Sequence, residues 1–105
     1  MGYYMVQAAF SQSRWEAYLK DPQAGDRLEG IRPAIEQLGG TISGVWYSFG
    51  EYDLVAIVQL PDNVSAAAFS MVPSAIGSAK SIKTTPLMTM EEGVEALRKA
   101  GKPGG

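Results

Sequence analysis

One stretch of this sequence, Ser48 to Asp62, reads SFGEYDLVAIVQLPD and holds the residues best equipped for proton chemistry. Asp53 opens an apolar run in which Val55, Ile57 and Gln59 share its parity. If that parity faces an apolar interior, loss of hydration raises the carboxyl's pKa and suits it to general acid–base work. The alternative is a carboxylate that accepts hydrogen bonds from turn amides, as Asp does beside Gly. Tyr52 stands between two similar readings: it donates to a bound ligand, or it packs across the hairpin with its hydroxyl in water. Gly50 is conformational in either case, because a turn that needs positive φ rejects a β-carbon.

A second set of residues is suited to binding. Trp46 and Tyr47, with Tyr3 and Tyr4 expected in a neighbouring strand, make an aromatic belt. Small-ligand cavities use aromatics with few polar partners, although aromatics between stacked sheets are also ordinary core. Gln7 and Gln59 lie inside apolar strands, where an unpaired amide is costly. They must pair with each other, with backbone, with a second chain or with a ligand. Tyr3, Gln7, Trp46 and Gln59 are therefore the candidate ligand contacts, with Asp53 and Tyr52 the candidate catalytic pair. Arg14 and Trp15 are placed to form a lid, or else a solvated first turn of helix. Ser11, Ser13 and Ser70 have no base within a recognisable motif. Glu91 and Glu92 favour a helix start and need no metal to explain them.

Composition removes whole classes of function. The 105 residues include no cysteine and no histidine. Thiolate nucleophiles, Ser-His pairs, imidazole bases and His-bound metals or haem are thereby excluded, and no metal or other cofactor is expected. Net charge is −2 with scattered lysines and arginines, which is not the basic face that nucleic acid requires. With 46% hydrophobic and 19% charged residues, the chain has the balance of one soluble globular domain. No stretch approaches a membrane span or a signal sequence, so a cytoplasmic location is the default expectation.

The elements that must position these residues follow from periodicity. Tyr3–Phe10 reads as a strand. SRWE at Ser13–Glu16 has capping-box spacing and opens a short helix through Trp15, Tyr18 and Leu19. Asp21-Pro22 starts a second helix whose face is Leu28, Ile31, Ile35 and Leu38, kinked at Pro33 and ended by Gly39-Gly40. Strands Thr41–Phe49 and Asp53–Leu60 flank a tight turn at Gly50–Tyr52. Asp62 caps a helix with Val64, Ala68, Met71 and Ala75 on one face, weakened by Pro73 and closed at Gly77. Lys80–Met88 is a strand whose lysines and proline mark an edge. A capping box at Thr89–Glu92 opens a last helix with Val94 and Leu97 inward. A single domain over 1–101 and a flexible tail at 102–105 result.

This order, β-α-β-β-α-β with a terminal helix, is the ferredoxin-like α+β arrangement of an antiparallel sheet with helices on one face. A one-sided sheet shows polar alternation. Here both parities of Asp53–Leu60 are apolar, and Trp46 with Ile42, or Val45 with Tyr47, repeats the pattern in the preceding strand. The chain's own helices cover one face. The economical cover for the other is a second copy in two-fold symmetry, with higher assemblies also open.

GEYD at Gly50–Asp53, running into LVAIVQLPD, resembles the Gly-x-Tyr-Asp signature of the GYD-domain proteins. IRPAIEQLGGTISGVWYSFG before it and SIKTTPLMTMEEGVEALRKA after it fit as well, so the likeness spans Tyr3 to Ala100. The resemblance implies a dimeric α+β barrel, in which two such sheets enclose a cavity. Relatives in that superfamily include cofactor-free monooxygenases, isomerases, haem-degrading enzymes and ligand-sensing domains. The YCII-like branch pairs an Asp with a His that this chain lacks. The expectation is a homodimer binding a small, mostly apolar molecule near the hairpin. The alternatives are a cofactor-independent monooxygenase or isomerase acting through Asp53 and Tyr52, and a solid barrel serving only structure.

Overall fold

The computed structural model describes residues 1–27, 31–75 and 79–101. The expectations for Leu28, Gly77 and the tail at 102–105 lie outside them. The elements are β1 (Gly2–Phe10), α1 (Gln12–Lys20), α2 (Pro22–Arg27), α3 (Arg32–Gln37), β2 (Thr41–Tyr47), β3 (Leu54–Leu60), α4 (Asn63–Ala75), β4 (Ala79–Leu87) and α5 (Met90–Ala100). All strand pairs are antiparallel, in the order β2-β3-β1-β4. That is the ferredoxin-like α+β fold which the element order implies. β4 is an edge strand, and its Lys80, Lys83 and Pro86 make it a poor template for further pairing. Among the described residues no helix is long and apolar enough to cross a membrane.

Alternation sorts the central strands. Tyr4, Val6 and Ala8 of β1 share one face with Leu54, Ala56, Val58 and Leu60 of β3, and all seven are buried. α3 adds Ile35 to that face, and α4 adds Ala66 and Phe69. The Tyr4 hydroxyl donates to Asn63 Oδ1 at 2.6 Å, joining the sheet to the start of α4. Of the opposite parity, Tyr3, Met5 and Gln7 in β1 and Val55, Ile57 and Gln59 in β3 keep solvent contact, and Ala9 at the end of β1 is buried.

In β2 the alternation breaks. The register with β3 shifts between Ile42 and Gly44, so Ser43 is an extra residue in a β-bulge. Ile42, Val45 and Tyr47 then all sit opposite Val58, Ala56 and Leu54 on the helix face, while Trp46 opposes Val55 on the other. Strict period-2 reading pairs Ile42 with Trp46, and the bulge undoes that pairing.

The helical layer departs from expectation in several places. Ser11, not Ser13, caps α1, accepting the Arg14 amide at 3.3 Å. Ser13 is already inside the helix, and Glu16 is drawn to Gln12 at 3.0 Å. Pro33 lies in the first turn of α3, so it starts a helix instead of kinking one. α3 ends in a Schellman motif: Gly39 has φ 81° and its N–H donates to Glu36 O, while the Gly40 N–H donates to Ile35 O at 2.9 Å. A β-carbon on Gly40 would collide with the Gln59 carbonyl, which makes glycine obligatory under β3.

α4 turns only part of the expected stripe inward: Ala68 faces the sheet side and is half-buried. Val64 and Met71 are exposed, and Ala66 and Phe69 are buried. Two stripes of similar hydropathy compete on this helix, and the one carrying the aromatic wins because it removes more apolar area from water. α5 has the expected capping box between Thr89 and Glu92. Its Val94 and Leu97 do not point inward, however: they are 41% and 72% exposed. The helix stands off the body, in a molecule 60 Å long but only 29 and 23 Å across.

Asp62 caps α4 as expected, accepting the Ser65 amide at 2.8 Å. That bond, first through the backbone and then through the Ser65 side chain, holds the Asp62 carboxyl below its ordinary 3.8. A depressed carboxyl stabilises the fold above its unfolded value, and the contribution disappears as pH falls through the folded value. Asp62→Ala is therefore expected to lower the urea midpoint at pH 7, and the gap from the parent should narrow once pH is taken below 3.8. A gap of equal size at both pH values would mean that the carboxylate is not the group responsible.

Candidate functional site

The hairpin corner is tied together by Asp53. Its Oδ2 accepts the Phe10 amide at 2.9 Å, its own N–H donates to Ala8 O, and its carbonyl accepts the Ser48 N–H. The expected tight turn is wider than GEY, running from Ser48 to Asp53, because Ser48 Oγ donates to Tyr52 O at 2.7 Å and closes the loop from the side. Gly50 has φ 139° with open space where a β-carbon would stand, so backbone conformation alone selects glycine. The carboxylate thus meets an amide of the neighbouring strand instead of the turn's own amides.

Partial loss of hydration, followed by a hydrogen bond to Glu51 and its negative charge, raises the Tyr52 pKa above 10.0. At neutral pH Tyr52 is a hydrogen-bond donor and not a phenolate base. Its ring borders a shallow hollow of about 350 Å³ with Gln7, Ser48, Phe49, Glu51, Val55 and Lys83. Asp53 is not among the lining residues.

The four expected ligand contacts share the outer face of the sheet but not one place on it. One cross-strand row runs Trp46, Val55, Gln7, Lys83; the next runs Gly44, Ile57, Met5, Thr85; the third runs Thr41, Gln59, Tyr3, Leu87. Trp46 and Gln7 therefore sit two rows from Tyr3 and Gln59, and the two glutamines do not oppose each other. Nor is there a continuous aromatic belt. β3 separates β1 from β2, and Tyr4 and Tyr47 lie on the helix face. Trp46 folds back over Gly44, where a β-carbon would come within 2.5 Å of its ring, and it remains 58% exposed.

The larger cavity is on the other face. About 520 Å³ opens between the sheet and helices α1, α3 and α4, walled mainly by apolar side chains. Its origin is in residue size. Ala8 and Ala56 face it from the strands, Ala34 and Ala68 from the helices, and Ala79 from β4, so five methyl groups stand where larger side chains would meet. Phe10 closes one end. Its ring packs edge-on against Trp15 at 5.2 Å, Tyr18 at 5.5 Å and Tyr47 at 6.3 Å. The Tyr47 hydroxyl donates to Gly25 O at 2.9 Å, which holds α2 to β2. The polar groups on the wall come from Arg14, Tyr18 and Gln37, with no carboxylate among the described lining residues.

Sequence reasoning placed the binding residues on the outer face and missed this wall. The available signal was the recurrence of alanine at core-facing positions of two adjacent central strands, which reads as small core until the facing helix positions prove equally small.

The family model for the GYD domain matches residues 4–97 of the chain. No curated protein matches it. Among solved structures it is similar to one described as the crystal structure of FFRP-DM1, at 12% identity and a TM-score of 0.55, covering 84% of this chain and 100% of that one. Such a likeness speaks to the fold alone.

Proposed function

Since this chain belongs to the GYD-domain family, we propose that it acts as a homodimeric α+β barrel protein that binds a small, mostly apolar molecule. The carrying observation is the alanine-walled cavity. Its volume of about 520 Å³ is within the usual range for small-molecule sites, far above the water-sized voids of ordinary cores. Sealed and empty, it would cost on the order of 10 kcal/mol, comparable with the stability of a whole domain. A space of that size supports an occupant better than it supports packing.

The dimer reading rests on the outer face, where Met5, Val55, Ile57 and Trp46 form an apolar field that no helix among the described residues covers. A second copy against this face shelters it. A catalytic reading draws no comparable support, since Asp53 borders neither hollow and Tyr52 is held protonated.

The test is titration with N-phenyl-1-naphthylamine, a neutral probe whose fluorescence rises in apolar surroundings. Saturable enhancement is expected, and Ala68→Phe, which fills the cavity from α4, should weaken it at least about tenfold with the melting curve still cooperative. Enhancement that Ala68→Phe leaves untouched would move the probe to another surface and end the proposal.

A further inference from the structure

We propose that this cavity selects anions: its ligand carries one carboxylate, seated on Arg14, at the end of an apolar body. The inference rests on the ligand reading above and adds the charge of the ligand to it.

Arg14 lies in α1 and lines the cavity in a partly buried position. Its guanidinium carbon lies over the Tyr18 ring, 5.5 Å from the ring centre, in a cation–π contact. A cation–π contact uses the charge and not the N–H donors, which can still meet a planar anion. No carboxylate among the described residues pairs with it. Arg14 is also the one charged side chain among the described lining residues.

A cation held against an apolar wall without a counter-charge is incompletely stabilised, and an anion entering from the cavity supplies what is missing. The charge count chooses the class. One guanidinium balances one negative charge, which suits a monocarboxylate and not a phosphate dianion. Gln37, on α3, contributes an amide to the same wall that can donate to a carboxylate oxygen.

Two probe pairs of matched shape test this: naphthalene-2-carboxylate with naphthalene-2-carboxamide, and decanoate with decanamide. Affinities are measured by isothermal titration on the parent, Arg14→Gln, Arg14→Lys and Ala68→Phe. The carboxylates should bind about tenfold tighter than their amides. Arg14→Gln should erase that preference, Arg14→Lys should keep part of it, and Ala68→Phe should weaken all four probes. Equal binding of acid and amide to the parent, still lost in Ala68→Phe, overturns the anion inference and leaves the cavity standing. Absence of binding by all four overturns both.

Discussion

Ile57→Lys is expected to yield a folded protein that sediments at the 11.2 kDa of one chain, under conditions where the parent runs as a dimer. Ile57 is at the centre of the outer face, opposite Met5 on one side and Gly44 on the other, and its side chain takes no part in the helix-side core. A lysine there costs the isolated chain almost nothing. In a face-to-face dimer it becomes a buried charge without a partner, at several kcal/mol. Since each 1.4 kcal/mol is tenfold, the dissociation constant should rise by about three orders of magnitude. Far-ultraviolet circular dichroism should be unchanged. A parent that is already monomeric at micromolar concentration removes the dimer from the proposal.

The second large effect concerns the corner. Asp53→Ala leaves the Phe10 amide without its acceptor at the place where the β1–β3 ladder ends at Ala8 and Leu54. The loss should be about 1–3 kcal/mol, or roughly 5–15 °C in melting temperature for a domain of this length. Asp53→Asn keeps an amide oxygen in position and should recover about half of it. Affinity for the neutral naphthylamine probe, measured well below the transition, should change less than about threefold in either variant, as expected of a residue outside the cavity wall. If binding collapses while the melting temperature holds, Asp53 belongs to the site after all.

What the sequence displayed and what it hid divide along physical lines. Local rules read directly: the capping box of Thr89, the Asp62 cap, the stop at Gly39-Gly40 and the blunted edge strand all arise from near neighbours. The ferredoxin-like fold followed from the sequence of elements, but the expected adjacency of β1 and β2 does not hold, because β3 lies between them. Properties set by distant partners did not read. The bulge at Ser43 inverts the apparent partnership of Ile42 and Trp46, and no side chain announces it. α4 carries two plausible apolar stripes, and only the sheet beneath decides between them. Val94 and Leu97 have the spacing of an inward face, but both stay exposed on α5. The site was least visible, because a cavity comes from what five alanines leave unfilled on elements far apart in the chain.

Asp53 and Gly50 have a consequence for kinship. Two of the three fixed residues of the signature serve as carpentry, one as a clasp between strands and the other as the bend that lets the clasp close. Relatives that share these letters inherit a joint, and a joint is silent about cargo. What separates the task of one relative from another is to be sought in the small residues under the helices, where exchanging a single methyl for a larger group reshapes the chamber without disturbing the frame.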